Sequence, residues 1–348
     1  MKKTARGVLS CVALTILVLA LAGCGGQKKS TLKVYNWGDY IDKSVLESFE
    51  KQTGINVIYD EFATNEDMYV KLKAGGSDYD VAIPSDYMIR RMISENMLQP
   101  IDFNNIPNYQ YIDERFKNLA YDGKNQYSVP YMWGTVGILY NKKMVSEPVD
   151  SWRILWDEKY KKQILMLDSQ RDAIGITLKM LGYSLNTKNQ KELDEAKEML
   201  IKQKPLVLAY VGDEVKDKMI GNEAALSVVW SGDAIFMKKE NPDLEYVIPK
   251  EGSNLWFDAM VIPKNGKNKK EAEQFINYMC STEIAYKNAD FIGYSTPHSD
   301  ARKKLPPELT SDRSVYPEKE DVKNSEVFED LADSLPLYDK IWTEIKSK

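Results

Sequence analysis

The stretch Asn254-Leu255-Trp256-Phe257-Asp258-Ala259-Met260-Val261-Ile262-Pro263 is an almost unbroken apolar run that ends at a proline. Such a run is typical of a buried strand, because proline cannot continue the hydrogen-bond ladder. Asp258 breaks the pattern, since an ionised carboxylate among apolar neighbours is costly unless something pairs with it. The nearest cations along the chain are Lys250 and Lys264, one on each side of the run and outside it.

Three explanations of Asp258 remain open from the residues alone. Its partner is a distant segment of the chain, a set of backbone donors at the strand end, or a ligand. The neighbouring Trp256 favours a ligand, because an indole face beside a carboxylate suits an organic ammonium ion. Asp258 is therefore the first candidate binding residue.

The N-terminal residues 1–23 have the pattern of a secretory signal: Lys2, Lys3 and Arg6 precede an apolar run of residues 8–21. Leu21-Ala22-Gly23-Cys24 resembles a bacterial lipobox, which predicts cleavage before Cys24 and lipid attachment to its thiol. A plain signal peptide with a chance cysteine is the alternative. Residues 24–30 are expected to form a flexible tether.

The composition limits the classes of function. Cleavage removes three cations and no acid, so the formal charge falls from −5 to −8, which argues against nucleic acid and is compatible with cationic ligands. Cys280 is then the one cysteine left unmodified, which excludes an intrachain disulfide framework. His298 is the single histidine, and the sequence contains neither a Gly-x-Ser-x-Gly elbow, nor zinc-ligand spacing, nor a phosphate-binding loop. We therefore expect no cofactor and no metal.

The rest of the chain alternates strand and helix patterns, which predicts an α/β protein with mixed, mainly parallel sheets. The length favours two lobes, and the lack of a Pro/Gly-rich linker fits lobes joined by crossing strands. One helix is predicted through Val45 and Phe49 to a C-terminal Gly54. A second is predicted from Ser85 and Asp86 to Met97-Leu98, and a last one from about Val327 to Ile345. Besides residues 254–263, the predicted strands are 31–37, 55–62, 80–84, 127–140, 163–167, 206–210, 226–230 and 244–248.

Seven motifs occur in one order along the chain and together resemble the spermidine/putrescine-binding proteins of bacterial polyamine ABC transporters. The resemblance implies a two-lobed, periplasmic-binding-protein-like (type II) fold with a hinge-connected cleft. Its expected division is residues 31–134 plus 256–301 for one lobe and 135–255 plus 302–348 for the other. The motifs are Tyr35-Asn36-Trp37-Gly38-Asp39-Tyr40, Pro84-Ser85-Asp86-Tyr87, Pro130-Tyr131-Met132-Trp133-Gly134, Ser151-Trp152 with Leu155-Trp156, Trp230-Ser231-Gly232-Asp233, Trp256-Phe257-Asp258 and Ile292-Gly293-Tyr294-Ser295-Thr296-Pro297.

The resemblance also implies which residues line the cleft. Asp233 matches an acidic ligand of the putrescine-selective branch, and Asp172 matches a position that is acidic in much of the family. The chain differs from some family members at two positions. Ser169 stands where some members have a second acidic ligand, and Phe328 stands where some have a glutamine that touches an amine. The remaining cleft positions are Trp37, Tyr40, Ser85, Tyr87, Trp230, Trp256, Asp258 and Tyr294.

The acidic candidates have structural alternatives when the residues are judged alone. Asp172 lies in the first turn of a predicted helix, where it would interact with the helix dipole. Asp233 follows Gly232 at a helix start and could be an N-cap. Asp39 follows a strand and could steer cations at the rim of the site or be solvated. Ser85 could cap a helix, contact a ligand, or do both.

The aromatic candidates also have both a binding and a structural interpretation. Trp37, Trp230 and Trp256 lie near the carboxyl ends of predicted strands, where open α/β sheets place their binding crevices, but isolated tryptophans are more often core. The tyrosines at positions 40, 87 and 294 follow polar or turn residues, so we expect their side chains to be accessible.

The sequence therefore predicts a monomeric, lipid-anchored, non-enzymatic receptor outside the cytoplasm. It would capture spermidine or putrescine and deliver it to the permease subunits of an ABC transporter. One alternative is a related receptor for ferric ion or another organic cation, although tryptophans with aspartates are a poor iron set. Another is a secreted glycosidase, for which Asp172, Asp233 and Asp258 would supply the paired carboxylates.

Overall fold

The computed structural model describes residues 30–75, 78–331 and 334–348, so the predicted signal segment 1–23, Cys24 and most of the tether lie outside them. The strands are β1 (Thr31–Trp37), β2 (Asn56–Phe62), β3 (Val81–Ala82), β4 (Leu98–Gln99), β5 (Ser128–Asn141), β6 (Ile164–Leu167), β7 (Val207–Val211), β8 (Leu226–Trp230), β9 (Leu244–Val247) and β10 (Leu255–Pro263). The helices are α1 (Lys43–Thr53), α2 (Asn65–Lys73), α3 (Asp86–Ser94), α4 (Gln170–Leu181), α5 (Gln190–Gln203), α6 (Val215–Ile220), α7 (Ser231–Glu240), α8 (Lys269–Met279), α9 (Thr282–Ile292), α10 (Ser299–Lys304), α11 (Pro307–Thr310) and α12 (Leu335–Ser347). Within those three ranges, none of the helices combines the length and the apolar character needed to span a bilayer.

The first strand group consists of β1–β4 and β10. β1 pairs in parallel with both β2 and β3, and β10 runs antiparallel to β3 and β4. Helix α1 connects β1 to β2: the Asp42 side chain accepts a hydrogen bond from the backbone N–H of Ser44, and Gly54 ends the helix with a φ of 74°. Val45 and Phe49 face the core from this helix, as the apolar spacing predicts.

The second strand group consists of β6–β9, and β5 joins the two groups. Residues 128–135 of β5 pair with β10, whereas residues 136–141 pair with β8 and β9. β6 lies in parallel between β7 and β8. The resulting sheet has the order β2-β1-β3-β10-β5-β8-β6-β7. Parallel pairing thus occurs within each group, and the strands that join the groups are antiparallel.

The hydrophobic core follows this division. One large cluster of buried residues extends through both strand groups, and a smaller one fills the space between the second group and helices α6 and α7. Cys280 is a free cysteine and is buried. The large cluster includes Trp133 and Trp256, which lie where β5 and β10 pair.

Several predicted boundaries are wrong. The predicted strand 80–84 is only Val81–Ala82. Helix α12 begins at Leu335 rather than near Val327, with Pro336 in its first turn, where a missing N–H costs nothing. Phe328 instead lies outside any helix and packs against the guanidinium of Arg171, 4.2 Å from ring centroid to Cζ. Helix α3 ends at Ser94, and Leu98 belongs to the short strand β4 rather than to the helix.

Candidate functional site

Asn254, Trp256 and Asp258 form a row along one face of the segment that opens β10, because alternate residues of an extended chain point the same way. All three are buried, with exposed fractions of 3%, 7% and 5%. Each has a buried polar atom without a hydrogen-bond partner among the described residues: Oδ1 of Asn254, Nε1 of Trp256 and Oδ1 of Asp258. Since buried polar atoms are nearly always paired, this row has the properties of a surface that awaits a ligand.

The carboxylate of Asp258 has partners on one oxygen. The hydroxyl of Tyr40 donates to Oδ2 at 2.7 Å. Burial raises the pKa of Asp258 to about 6, although the hydroxyls of Tyr40 and Ser85 lower it. Neither hydroxyl is a backbone group or a cation, so the alternative of an aspartate satisfied by backbone donors at a strand end is wrong.

Ser85 occupies the N-cap position of α3 without making a side-chain capping bond. Its hydroxyl instead accepts a hydrogen bond from Nδ2 of Asn65 at 3.1 Å, and it lowers the pKa of Asp258. The capping role proposed for the Ser85 side chain is therefore wrong, and the contact with the site remains.

Aromatic rings surround Asp258 on one side. Tyr294 meets Tyr40 edge-on with 5.5 Å between ring centroids, and it meets Trp256 edge-on at 5.1 Å. Glycines make this packing possible: a Cβ at Gly232 would lie 2.1 Å from Cδ1 of Tyr294, and one at Gly134 would lie 2.6 Å from Cζ2 of Trp256. Gly134 and Gly232 are thus explained by close approach of rings to the backbone.

The predicted accessibility of the tyrosines holds only in part. Tyr87 and Tyr294 are half-buried, but Tyr40 is buried. Its ring packs edge-on against Tyr131 and Tyr294, and its hydroxyl is committed to Asp258. The expectation that Tyr40 is accessible is wrong, because the sequence shows the turn before it and not the distant residues that cover it.

Asp233 does not cap a helix. Trp230 is the N-cap of α7, and Asp233 is the third residue within the helix. Its Oδ1 lies 3.5 Å from Nζ of Lys216, and the hydroxyl of Tyr294 lowers the pKa of its carboxyl. Burial raises the pKa of Asp233 to about 6, partly offset by Lys216. Burial, together with the charges of Asp233 and Asp258, raises the pKa of Tyr294.

Asp39 lies at the rim, with 76% of its side chain exposed. Its backbone has a φ of 50°, in the left-handed region that aspartate tolerates better than most residues. Lys216 contacts its Oδ2 at 3.3 Å. The structure thus places Asp39 at the edge of the site beside a lysine that the sequence did not single out.

Ser169 and Asp172 lie at the other end of the row. Ser169 is the N-cap of α4 and its hydroxyl donates to Oδ2 of Asp172 at 2.7 Å, while Nδ2 of Asn254 donates to Oδ1 at 3.2 Å. Burial raises the pKa of Asp172, although the hydrogen bonds from Ser169 and Asn254 lower it. Asn254 therefore links Asp172 to the row on β10.

A fixed internal cation lies beside this second end. The guanidinium of Arg171 lies over the rings of Phe328 and Tyr87, at 4.2 and 5.2 Å from the ring centroids. The hydroxyl of Tyr87 donates to Glu66 at 2.9 Å. Phe328 thus holds a charged side chain in place at the position where the family resemblance led us to expect an amine contact.

The remaining predicted tryptophans are less closely tied to the site. The indole N–H of Trp37 donates to the carbonyl of Ile83 at 2.9 Å, and its ring packs against Phe62. Trp230 is half-buried at the end of β8 and makes none of the ring contacts described above. Both lie at strand ends, as predicted, and their binding roles stay predictions.

Sequence reasoning missed five residues that the structure brings to the site: Asn254, Glu66, Asp86, Arg171 and Lys216. For Asn254 the sequence does contain a signal, because in an extended strand its side chain points to the same face as that of Asp258. Asp86 lies in the Pro-Ser-Asp-Tyr motif; it is buried and accepts hydrogen bonds from the backbone N–H groups of Phe257 and Tyr87, at 2.9 and 2.6 Å. Burial raises its pKa to about 8 despite those bonds.

No set of three or more metal-binding side chains occurs within the part of the chain that the structure describes. What the site offers is carboxylate and amide oxygens beside indole and phenol rings. Oxygens of that kind bind ammonium groups, and flat aromatic faces pack on methylene groups or attract cations.

The sequence profile of the bacterial extracellular solute-binding proteins matches residues 44–316, well over half of the chain. The chain belongs to this family. Membership places the solute-binding protein outside the cytoplasm, in agreement with the predicted signal segment.

Similar proteins carry more specific names. The spermidine/putrescine-binding periplasmic protein of Salmonella typhimurium is 37% identical over 349 residues, 100% of this chain and 99% of that protein. PotD of Streptococcus pneumoniae, a spermidine/putrescine ABC transporter substrate-binding protein solved with calcium and HEPES, is 44% identical, with a TM-score of 0.80 over 92% of this chain and 99% of that chain. The Tp0655 (TpPotD) lipoprotein of Treponema pallidum is 28% identical, with a TM-score of 0.82 over 92% of this chain and all of that chain. The resemblance drawn from the seven motifs and the predicted fold are confirmed.

Proposed function

We propose that this solute-binding protein is a non-enzymatic receptor that captures spermidine or putrescine between its two strand groups. The observation that carries the proposal is the row of unpartnered polar atoms on Asn254, Trp256 and Asp258. An ammonium group would satisfy the free Oδ1 of Asp258, and a methylene chain would lie against Trp256. The names of the relatives in Salmonella and Streptococcus support the same ligand class.

The length of the row favours the longer polyamine. Asn254 and Asp258 are four residues apart in extended chain, which corresponds to about 13 Å along the strand. With bond lengths near 1.5 Å, the terminal nitrogens of putrescine are roughly 6 Å apart and those of spermidine roughly 11 Å apart. Spermidine can therefore reach from Asp258 to the amide of Asn254 and the nearby carboxylate of Asp172, whereas putrescine is too short to do so.

The electrostatics fit a polycation. Asp258, Asp233 and Asp172 are buried, and burial raises the pKa of each. A carboxylate that is costly to ionise in the empty protein gains more from an arriving ammonium than an exposed one does. The aromatic contacts would add about 0.5–2 kcal/mol each, so the carboxylates should dominate the affinity and the rings should shape the site.

The proposed division into lobes is residues 31–134 plus 256–301 and residues 135–255 plus 302–348. The switch of β5 from β10 to β8 between residues 135 and 136 supports it, as does the position of β10 directly after residue 254. Ligand binding would close the lobes, and surfaces that meet only in the closed form would signal occupancy. The receiving partner would be the permease of an ABC transporter, as the name of the Streptococcus relative implies.

The protein would be held at the membrane by a lipid on Cys24, with residues 24–30 as its tether. The lipobox-like sequence supports this anchor, and the Treponema relative is named a lipoprotein. We expect a monomer in solution, because one chain supplies both walls of the site.

The proposal is tested by calorimetric titration of residues 24–348 with putrescine, spermidine and spermine in one buffer. We expect tight, saturable binding at one site per chain, recovery of the intact amine, and tighter binding of spermidine than of putrescine. Absence of binding to all three amines, or chemical conversion of the bound compound, would refute the proposed function.

A further inference from the structure

Lys216 on helix α6 is a cation inside a cluster of three carboxylates. Its Nζ lies 3.3 Å from Oδ2 of Asp39, 3.5 Å from Oδ1 of Asp233 and 3.6 Å from Oδ1 of Asp213. Its side chain is 16% exposed, so the ammonium group is largely removed from water. Burial lowers the pKa of Lys216, but the three carboxylates together raise it above the usual 10.5, so the group is charged at neutral pH.

The three carboxylates come from both strand groups. Asp39 follows β1 in the first group, whereas Asp213 and Asp233 follow β7 and β8 in the second. The backbone also comes close at this point, since a Cβ at Gly38 would lie 3.3 Å from the Asp213 carboxylate. The lysine therefore stands at the junction where a ligand is proposed to bind.

The lysine also reaches the aromatic wall of the site through Asp233. Tyr294 is close enough to Asp233 to affect its pKa, and the ring of Tyr294 meets Tyr40, whose hydroxyl donates to Asp258. A diamine with one ammonium on Asp258 would thus have Asp233 as the next buried carboxylate on that side. Lys216 already supplies the positive charge that Asp233 requires.

We infer that Lys216 is a specificity-determining residue, an internal ammonium that takes the place of a second ligand ammonium at Asp233. Asp258 is then the main carboxylate left for putrescine, and the second ammonium group of putrescine adds little to the binding free energy. The inference rests on the proposed polyamine-binding function and adds to it a reason for weak discrimination between diamines and monoamines.

The test compares putrescine with butylamine, which has the same four carbons and one ammonium, in calorimetric titrations of the parent protein and K216Q. K216Q removes the competing charge, so the preference for putrescine over butylamine should rise by about tenfold or more, the lower range for a gained buried charge pair. If the substitution also changes the free energy of closing the lobes, the Kd values of both amines change by the same factor, and the ratio of the two Kd values does not. K216R keeps the charge and should keep the parent ratio.

Two further variants sharpen the comparison. Lys218 lies on the same helix and pairs with Glu223, so K218Q removes an equal charge away from the site and should leave the ratio unchanged. K216Q/D233N should lose the gain, because the carboxylate that is freed in K216Q is absent. An unchanged or lowered ratio in K216Q, or an equal rise in K218Q, would overturn the inference while the proposed function stands. If the parent protein binds neither putrescine, nor butylamine, nor spermidine, both the inference and the proposed function are refuted.

Discussion

Replacing Asp258 by asparagine removes a buried negative charge while keeping the size of the side chain and one hydrogen-bonding oxygen. Burial raises the pKa of the Asp258 carboxyl from 3.8 to about 6. Because a tenfold change in an equilibrium constant is about 1.4 kcal/mol, ionising this group in the empty protein costs about 3 kcal/mol at neutral pH. D258N should therefore leave the free energy of unfolding of the empty protein unchanged or raise it by up to about 3 kcal/mol.

The same substitution should have the opposite effect on binding. Truncating one partner of a buried charge pair costs about 2–5 kcal/mol, so the Kd for spermidine should rise about 30-fold or more. Calorimetric titration with spermidine measures the affinity, and thermal denaturation of the empty protein at the same pH measures the stability. The combination of lost affinity and kept stability is the signature of a binding carboxylate.

Asp80 provides the matched control. It is also buried, but its carboxylate accepts hydrogen bonds from the backbone N–H groups of Lys33, Lys267 and Asn268. D80N should therefore lower the stability and leave the spermidine affinity of the folded protein unchanged. If D258N binds spermidine as tightly as the parent, or loses stability as D80N does, Asp258 is a structural residue and our reasoning fails.

Four other outcomes follow from the structure. Spermidine affinity, measured by calorimetry, should fall as the pH drops from 7 to 5, because Asp258 with a pKa near 6 becomes protonated and cannot pair with an ammonium; D258N should remove most of this slope, and an equal slope in D258N would contradict it. The melting temperature of the empty protein should fall as the pH rises from 5 to 8. In the folded protein the pKa values of Asp258 and Asp86 are about 6 and about 8, above the usual 3.8, so these carboxyls contribute stability below about pH 4 and lose it as the pH rises through their folded pKa values. D86N should flatten the upper part of this curve. N254L should weaken spermidine about tenfold and putrescine much less, since only the longer amine reaches Asn254, and equal losses in titrations of the two amines would count against the proposed register. G232A should weaken both amines about tenfold or more, because its Cβ would lie 2.1 Å from the ring of Tyr294 and displace it; unchanged titration curves would show that this ring does not shape the site.

Much of the fold is visible in local sequence. The apolar run 254–263 became β10 with bounds Leu255–Pro263, and Gly54 ended helix α1 in the left-handed conformation that the glycine predicted. The start of α12 could not be predicted in this way, because apolar residues from 327 onwards look helical until their packing partners are known. Phe328 packs on Arg171, which lies far from it in the sequence.

The site was predictable in residue type and not in its pairings. An aspartate beside a tryptophan on a buried strand marked Asp258 as unusual, but its partner Tyr40 lies 218 residues away. Lys216 contacts Asp39 across 177 residues, and nothing in its own helix distinguishes it from Lys218. The Tyr40 contact depends on how β1 and β10 assemble within the first strand group, and the Lys216 contact depends on how the two groups meet. No local pattern encodes either arrangement.

A crystal structure of the protein with spermidine bound tests the central claim most directly. We predict a terminal ammonium nitrogen about 2.8 Å from Oδ1 of Asp258, with the methylene chain against Trp256 and the far end of the amine near Asn254. Spermidine bound elsewhere, or bound in the cleft with Oδ1 of Asp258 still without a ligand nitrogen, would contradict the account.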